Sequence, residues 1–128
     1  MLEIGMTLTN EITVTKDVTA LALGSGDLDV YATPSMISLM ELTARCAVGD
    51  ALDDGMTTVG TLVNVSHVAA TPVGMKVTCK ATLTEVDGRR LVFNVEANDE
   101  KGLIGQGTHE RFIVDSAKFQ SKTDAKLQ

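Results

Sequence analysis

The chain has no tryptophan and few other aromatics: Tyr31, Phe93, Phe112 and Phe119 are all it carries in 128 residues. Its core must therefore come from Val, Leu, Ile, Met and Ala. A stacking platform for single-stranded nucleic acid, which needs several exposed aromatic rings, is excluded. Cysteine is equally scarce. Cys46 and Cys79 show neither a CxxC nor a metal-ligand spacing, and both read as small buried hydrophobes in a reduced, cytoplasmic setting. A basic excess is missing too, and the formal net charge of −6 argues against phosphate-backbone partners. Lys76, Lys80, Arg89 and Arg90 remain either a local patch for a phosphorylated small molecule or a solvated strand face. No apolar run approaches the ~18 residues that span a bilayer. The N-terminus lacks a charged stretch followed by an apolar one, so neither a signal peptide nor a membrane partner is expected.

What is present is ordinary for a globular protein: 44% hydrophobic and 22% charged residues. Residues 1–128 read as one domain, with a polar tail frayed from about residue 120. Residues 7–15 suggest a first strand. Residues 16–30, with Gly24, Gly26, Asp27 and Asp29, read as a loop holding at most a short helical piece. The clearest helix follows, with Thr33 as N-cap, Pro34 in the first turn and Gly55 as a stop. At ~100° per residue, Met36, Ile37, Met40, Ala44, Val48 and Ala51 share one stripe. Leu39, Leu42 and Cys46 occupy much of the other side, the pattern of a helix covered by more than one layer.

Everything beyond reads as strand. Residues 57–70 come first, then Met75 to Thr84 with strict alternation, an Asp87-Gly88 turn, residues 89–98, a turn at 99–102 and residues 103–115. One buried helix followed by an antiparallel meander is an α+β domain with a sheet curled around the helix. Its open side suits a second copy, so a homodimer is expected.

Three polar residues break the apolar pattern. Glu41 lies at the rim of the helical stripe, where partial desolvation would suit a general base; its plain reading is an ion pair with Arg45 or Arg111. His67 shares strand parity with Val63 and Val65, flanked by the small residues Ser66, Ala69 and Ala70; its plain reading is a satisfied core histidine. Thr33 caps the helix, and its hydroxyl would also face any pocket at the positive end of the helix dipole. Thr33 and Glu41 stand ~12 Å apart along the axis, corners of a cleft rather than a relay. Gly60 weakens its strand unless something approaches closely, an acyl group or pantetheine arm being one candidate and a bulge another. Glu110 and Arg111 read as structural. His109 with His67 and Glu41 shows no metal-ligand spacing, so no metal is expected.

The segments "ATPSMISLMELTARCAV", "GTLVNVSHVAATPVGMKVT", "VDGRRLVFNVEA" and "GQGTHERFIV" resemble the hotdog-fold acyl-CoA thioesterases of the fluoroacetyl-CoA thioesterase type, over roughly residues 30–119. The resemblance implies a curved antiparallel sheet around one long central helix, commonly in homodimers or dimers of dimers with sites at the subunit interface. It implies hydrolysis of a small acyl-CoA, with Thr33, Glu41 and His67 catalytic and with Gly60 and Arg111 at the substrate. No cofactor is implied, CoA being part of the substrate. The family's fluoroacetyl-specific enzyme closes its site with a bulky hydrophobic lid. Here that segment, "LGSGDLDVYA", holds no phenylalanine, so a general small acyl-CoA is the expected substrate. A non-catalytic acyl-CoA binding module and an enoyl-CoA hydratase are the alternatives.

Overall fold

The computed structural model describes residues 1–128. Five strands, β1 (Thr7–Thr13), β2 (Met56–His67), β3 (Lys76–Asp87), β4 (Arg90–Asp99) and β5 (Gly102–Asp115), form one antiparallel sheet in the order β1-β3-β4-β5-β2. A short helix α1 (Ala20–Leu23) precedes the long α2 (Thr33–Gly49), and α3 (Ser116–Asp124) closes the chain. No helix is long and apolar enough to cross a membrane.

The core is the expected aliphatic one. Val77, Cys79, Ala81 and Leu83 of β3, with Leu91, Phe93, Val95 and Ala97 of β4, present one buried face to Met36, Leu39, Met40, Ala44 and Val48 of α2. The alternation read in the β3 segment is this face, and Gly88, at φ 61°, makes the turn from β3 to β4. Thr43 is buried in the same layer, where its hydroxyl donates to the Leu39 carbonyl (2.7 Å) and accepts from Asn10 (3.1 Å).

The structure corrects the sequence in several places. α2 begins one residue earlier than a Thr33 cap requires. Ala32 holds the extended N-cap conformation, its carbonyl accepts from Met36 N–H (3.0 Å), and Thr33 is the first helical residue. The Thr33 hydroxyl is thereby released from capping. α2 also ends at Gly49 rather than near Gly55. Asp50, Asp53 and Asp54 crowd its C-terminus with no basic residue in the last turn, the wrong sign for the helix dipole. Gly55, at φ 81°, serves the turn into β2 instead. Cys46 is exposed, as is Leu42, because one sheet covers only one side of α2; Cys79 alone is buried as expected. The tail from residue 120 continues as exposed helix through Asp124.

The segment between β1 and α2 is pinned at both ends. Thr19, fully buried, donates to the Lys16 carbonyl (2.8 Å) and caps α1 by accepting from Ala22 N–H (3.2 Å). Bridges from Thr19 to Tyr31 and from Val30 to Pro72 fasten its base, leaving residues 21–29 exposed. Thr71 anchors the β2–β3 connection with a hydrogen bond to Asp99 (2.8 Å).

Candidate active site

α2 lies antiparallel to β2, so its start meets the end of that strand. There Thr33 Oγ1 and His67 Nδ1 stand 2.7 Å apart in a hydrogen bond. His67 Nε2 is buried and has no hydrogen-bond partner, a costly state that calls for an added polar atom. Burial holds the His67 pKa below its ordinary value of 6.5, with the Ala69 backbone pulling the other way from outside hydrogen-bonding geometry. Because Pro34 has no N–H and Met36 N–H is already bonded to Ala32, Thr33 and Ser35 carry the free amides of the first turn. Beside them is a cavity of about 340 Å³, lined by Ala20, Val30, Tyr31, Val68, Ala69 and Ala70 with Thr33 and His67. Burial pushes the Tyr31 phenol up to about 12, so it stays neutral there. A larger cavity of about 570 Å³ lies on the opposite sheet face among Lys80, Thr82, Asn94, Glu96, Gln106 and Thr108, away from these groups.

Two turns along α2 a second cluster forms. Arg111, its side chain only 6% exposed, donates from Nη1 to Glu41 Oε2 (3.2 Å). The rest of its guanidinium donates from Nε to Thr58 Oγ1 (2.7 Å) and from Nη2 to the Thr58 carbonyl (2.8 Å). Burial draws the Arg111 pKa down, and the Glu41 carboxylate opposes this. Gly60 pairs with Arg111 across β2 and β5, where the register slips between Gly60 and Leu62. A Cβ on Gly60 would lie 2.4 Å from Glu41 Oε2. The glycine is therefore both a strand irregularity and the seat of the carboxylate. Glu41 is 41% exposed, so it is half-buried as its place on the rim of the stripe implied, and it also makes the ion pair with Arg111 that was its plain reading.

The structure thus joins Thr33 with His67, and Glu41 with Gly60 and Arg111, but leaves the two groups apart. Along β2, Gly60 and His67 are roughly 20 Å from each other. Nothing in the sequence singles out Thr58 as a member of this second cluster, and the sequence offers His109 only as a metal ligand, not as a neighbour of Arg111. His109 is 1% exposed and within 3.2 Å of Arg111 Nη1. The i, i+2 spacing of His109 and Arg111 was the available signal, since it sets both on one sheet face. Glu110 points the other way and pairs with Arg90 (2.7 Å), which also binds Glu85 (2.6 Å), so Arg90 is not free for a phosphate.

A five-stranded antiparallel sheet around one long helix, with a hydroxyl–imidazole pair at the helix start, defines a hotdog protein of the thioesterase class. Residues 14–117 match the fluoroacetyl-CoA-specific thioesterase (FlK) family, and the chain belongs to that family. It is 43% identical over 98 residues to the fluoroacetyl-CoA thioesterase of Streptantibioticus cattleyicolor, across 77% of this chain and 70% of that one. The structure of FlK superposes with a TM-score of 0.93 at 36% identity, covering 98% of each chain. A FlK mutant in complex with acetyl-CoA gives 0.94 at 34% identity over 99% of this chain and 100% of that one. A thioesterase-superfamily protein from Thermus thermophilus gives 0.90 at 31% identity, over 98% of this chain and 93% of that one.

Proposed function

We propose that this protein hydrolyses small acyl-CoA thioesters at a site assembled between two copies of the chain. The observation that carries the chemistry is the 2.7 Å hydrogen bond between Thr33 and His67, beside a cavity and the free amides of α2. His67 takes the Thr33 proton at Nδ1, and Thr33 Oγ1 attacks the thioester carbon. The amides of Thr33 and Ser35 receive the oxyanion. When the C–S bond breaks, the CoA thiolate takes that proton from His67 and leaves as the thiol. Water then cleaves the acyl–threonine ester. Glu41 takes a proton from the water, whose oxygen bonds to the acyl carbon. As the bond to Thr33 Oγ1 breaks, that proton goes on to restore the Thr33 hydroxyl.

Glu41 must come from the second copy. β2 is a free sheet edge whose middle exposes Leu62 (45%) and Val63 (40%), the kind of long edge that proteins normally cover. Gly60 and His67 face the same side of the sheet, paired with Arg111 and Gly105 of β5. Antiparallel pairing of β2 with its twin about a two-fold near Val63 sets Gly60 of one copy opposite His67 of the other. Each Thr33–His67 pair then meets the partner's Glu41–Arg111 pair. The free thiols of Cys46 and Cys79 suit a reduced, cytoplasmic enzyme.

The test is free-thiol release from a panel of acyl-CoAs running from acetyl and fluoroacetyl to palmitoyl. Short chains should turn over, Glu41→Gln should accumulate an acyl adduct on Thr33 detectable by intact mass, and Thr33→Ala should form none. Unchanged turnover in Glu41→Gln would refute the mechanism. Saturable binding of acyl-CoA without thiol release would leave a binding module instead.

A further inference from the structure

We propose that His109 is a positioning residue, held as the neutral Nδ1–H tautomer, that controls how the Arg111 guanidinium engages Glu41. The inference rests on the hydrolase reading for its catalytic consequence, though not for the tautomer. His109 Nδ1 lies 2.8 Å from the Leu62 carbonyl, which can only accept, so Nδ1 carries the proton. Nε2 lies 3.2 Å from Arg111 Nη1, which can only donate, so Nε2 is bare. Both ring nitrogens are thus assigned by their partners, with no freedom left. The site excludes the imidazolium as well, since a second ring proton would face the guanidinium cation at that distance. Burial and the Arg111 charge both hold the His109 pKa below 6.5, while the Leu62 carbonyl and the charges of Glu41 and Glu110 oppose them.

The consequence lies in the count of Arg111 donors. A guanidinium has five N–H groups. Thr58 takes one from Nε and one from Nη2, His109 takes one from Nη1, and Glu41 receives the other Nη1 hydrogen. His109 therefore limits the arginine–carboxylate contact at Nη1 to a single hydrogen on one oxygen. Glu41 Oε1 stays free to act on water. Without the imidazole acceptor, the second Nη1 hydrogen is left unpaired in a buried place. Because the guanidinium is planar and rigid, that hydrogen finds a new partner only by the whole group swinging off Thr58. The swing shifts the Nη1 hydrogen that holds Glu41 and misplaces the carboxylate.

Three variants and one spectrum test this. His109→Leu should lower kcat about tenfold or more, the scale of a hydrogen bond to a charged group, with KM changed little. His109→Gln, whose carbonyl can take the Nη1 hydrogen, should recover most of kcat, and His109→Asn, too short to reach it, should not. Circular dichroism and thermal melts confirm that each variant folds. Side-chain ¹⁵N NMR of the unmutated protein should show His109 protonated at Nδ1 and bare at Nε2 from pH 7 upward. A protonated Nε2 in that range overturns the proposal, as does unchanged kcat in folded His109→Leu. If no acyl-CoA is hydrolysed, the enzyme reading fails separately and the Arg111 Nε–H resonance decides. Movement of that resonance in His109→Leu upholds the positioning role, and an unmoved one overturns it.

Discussion

Gly60→Ala separates the stability of the fold from the geometry of the site. The added Cβ would sit 2.4 Å from Glu41 Oε2, and 3.3 Å from both Arg111 Nη1 and His109 Cε1. Ordinary carbon–oxygen contact needs roughly a further 1 Å. Of the three neighbours only Glu41 can move freely, because Arg111 is tied to Thr58 and His109 to Leu62. The carboxylate swings toward solvent and its 3.2 Å bond to Arg111 breaks. That pair is worth at most about 1 kcal/mol once the half-exposed carboxylate is discounted for solvent screening. Alanine in a strand offsets this by about 0.5–1 kcal/mol through the reduced freedom of the unfolded chain. The melting temperature should therefore stay within about 4 °C of the parent, where ~1 kcal/mol corresponds to that shift in a domain of this size. Turnover should fall by at least about tenfold, because displacing a catalytic group by 1 Å is enough for such losses. Differential scanning calorimetry and thiol release on the same preparation make the comparison. A folded Gly60→Ala with parental kcat, or one destabilised by several kcal/mol, would refute the reasoning.

Thr33→Ala should abolish most thiol release while leaving stability nearly intact, since Ala32 rather than Thr33 is the N-cap; Thr33→Ser should retain measurable activity. Val63→Glu, placed on the exposed β2 edge, should shift the sedimentation coefficient to that of a monomer and remove activity with it. His67 and His109 both have folded pKa values below 6.5. Above that pH both are neutral folded and unfolded alike, whereas below it the unfolded chain binds protons first. Melting temperature should hence be flat from about pH 7 to 8 and decline as pH falls below 6.5, and His109→Gln should flatten part of that decline. Thr71→Val removes a fully buried hydroxyl from Asp99 and should cost about 1–2 kcal/mol in urea titration.

Local patterns in the sequence carried the architecture. The stripe from Met36 to Val48 and the alternation from Val77 to Leu83 each depend on residues a few positions apart, and both appear in the buried face. Cys46 shows where that logic ends: its apolar neighbours suggested a second covering layer, which one chain does not contain. The site was legible only as separate parts. Thr33, Glu41, Gly60 and His67 each stood out against an apolar background. The partnership of Gly60 with Arg111 depends on the β2–β5 register, set by residues about fifty apart in sequence, which no local pattern reports. The contacts of His109 were hidden for the same reason, because they are made with Leu62 and Arg111 on two different strands.

The spacing of Gly60 and His67 along β2 also makes the proposed enzyme divisible. With each site drawing Thr33 from one chain and Glu41 from the other, a Thr33→Ala chain and a Glu41→Gln chain are both inactive alone. Mixed and re-annealed, half of their dimers are heterodimers, and in each of those one site receives both intact residues while the other receives both lesions. Two dead preparations should thus combine to regain about a quarter of parental activity per chain pair.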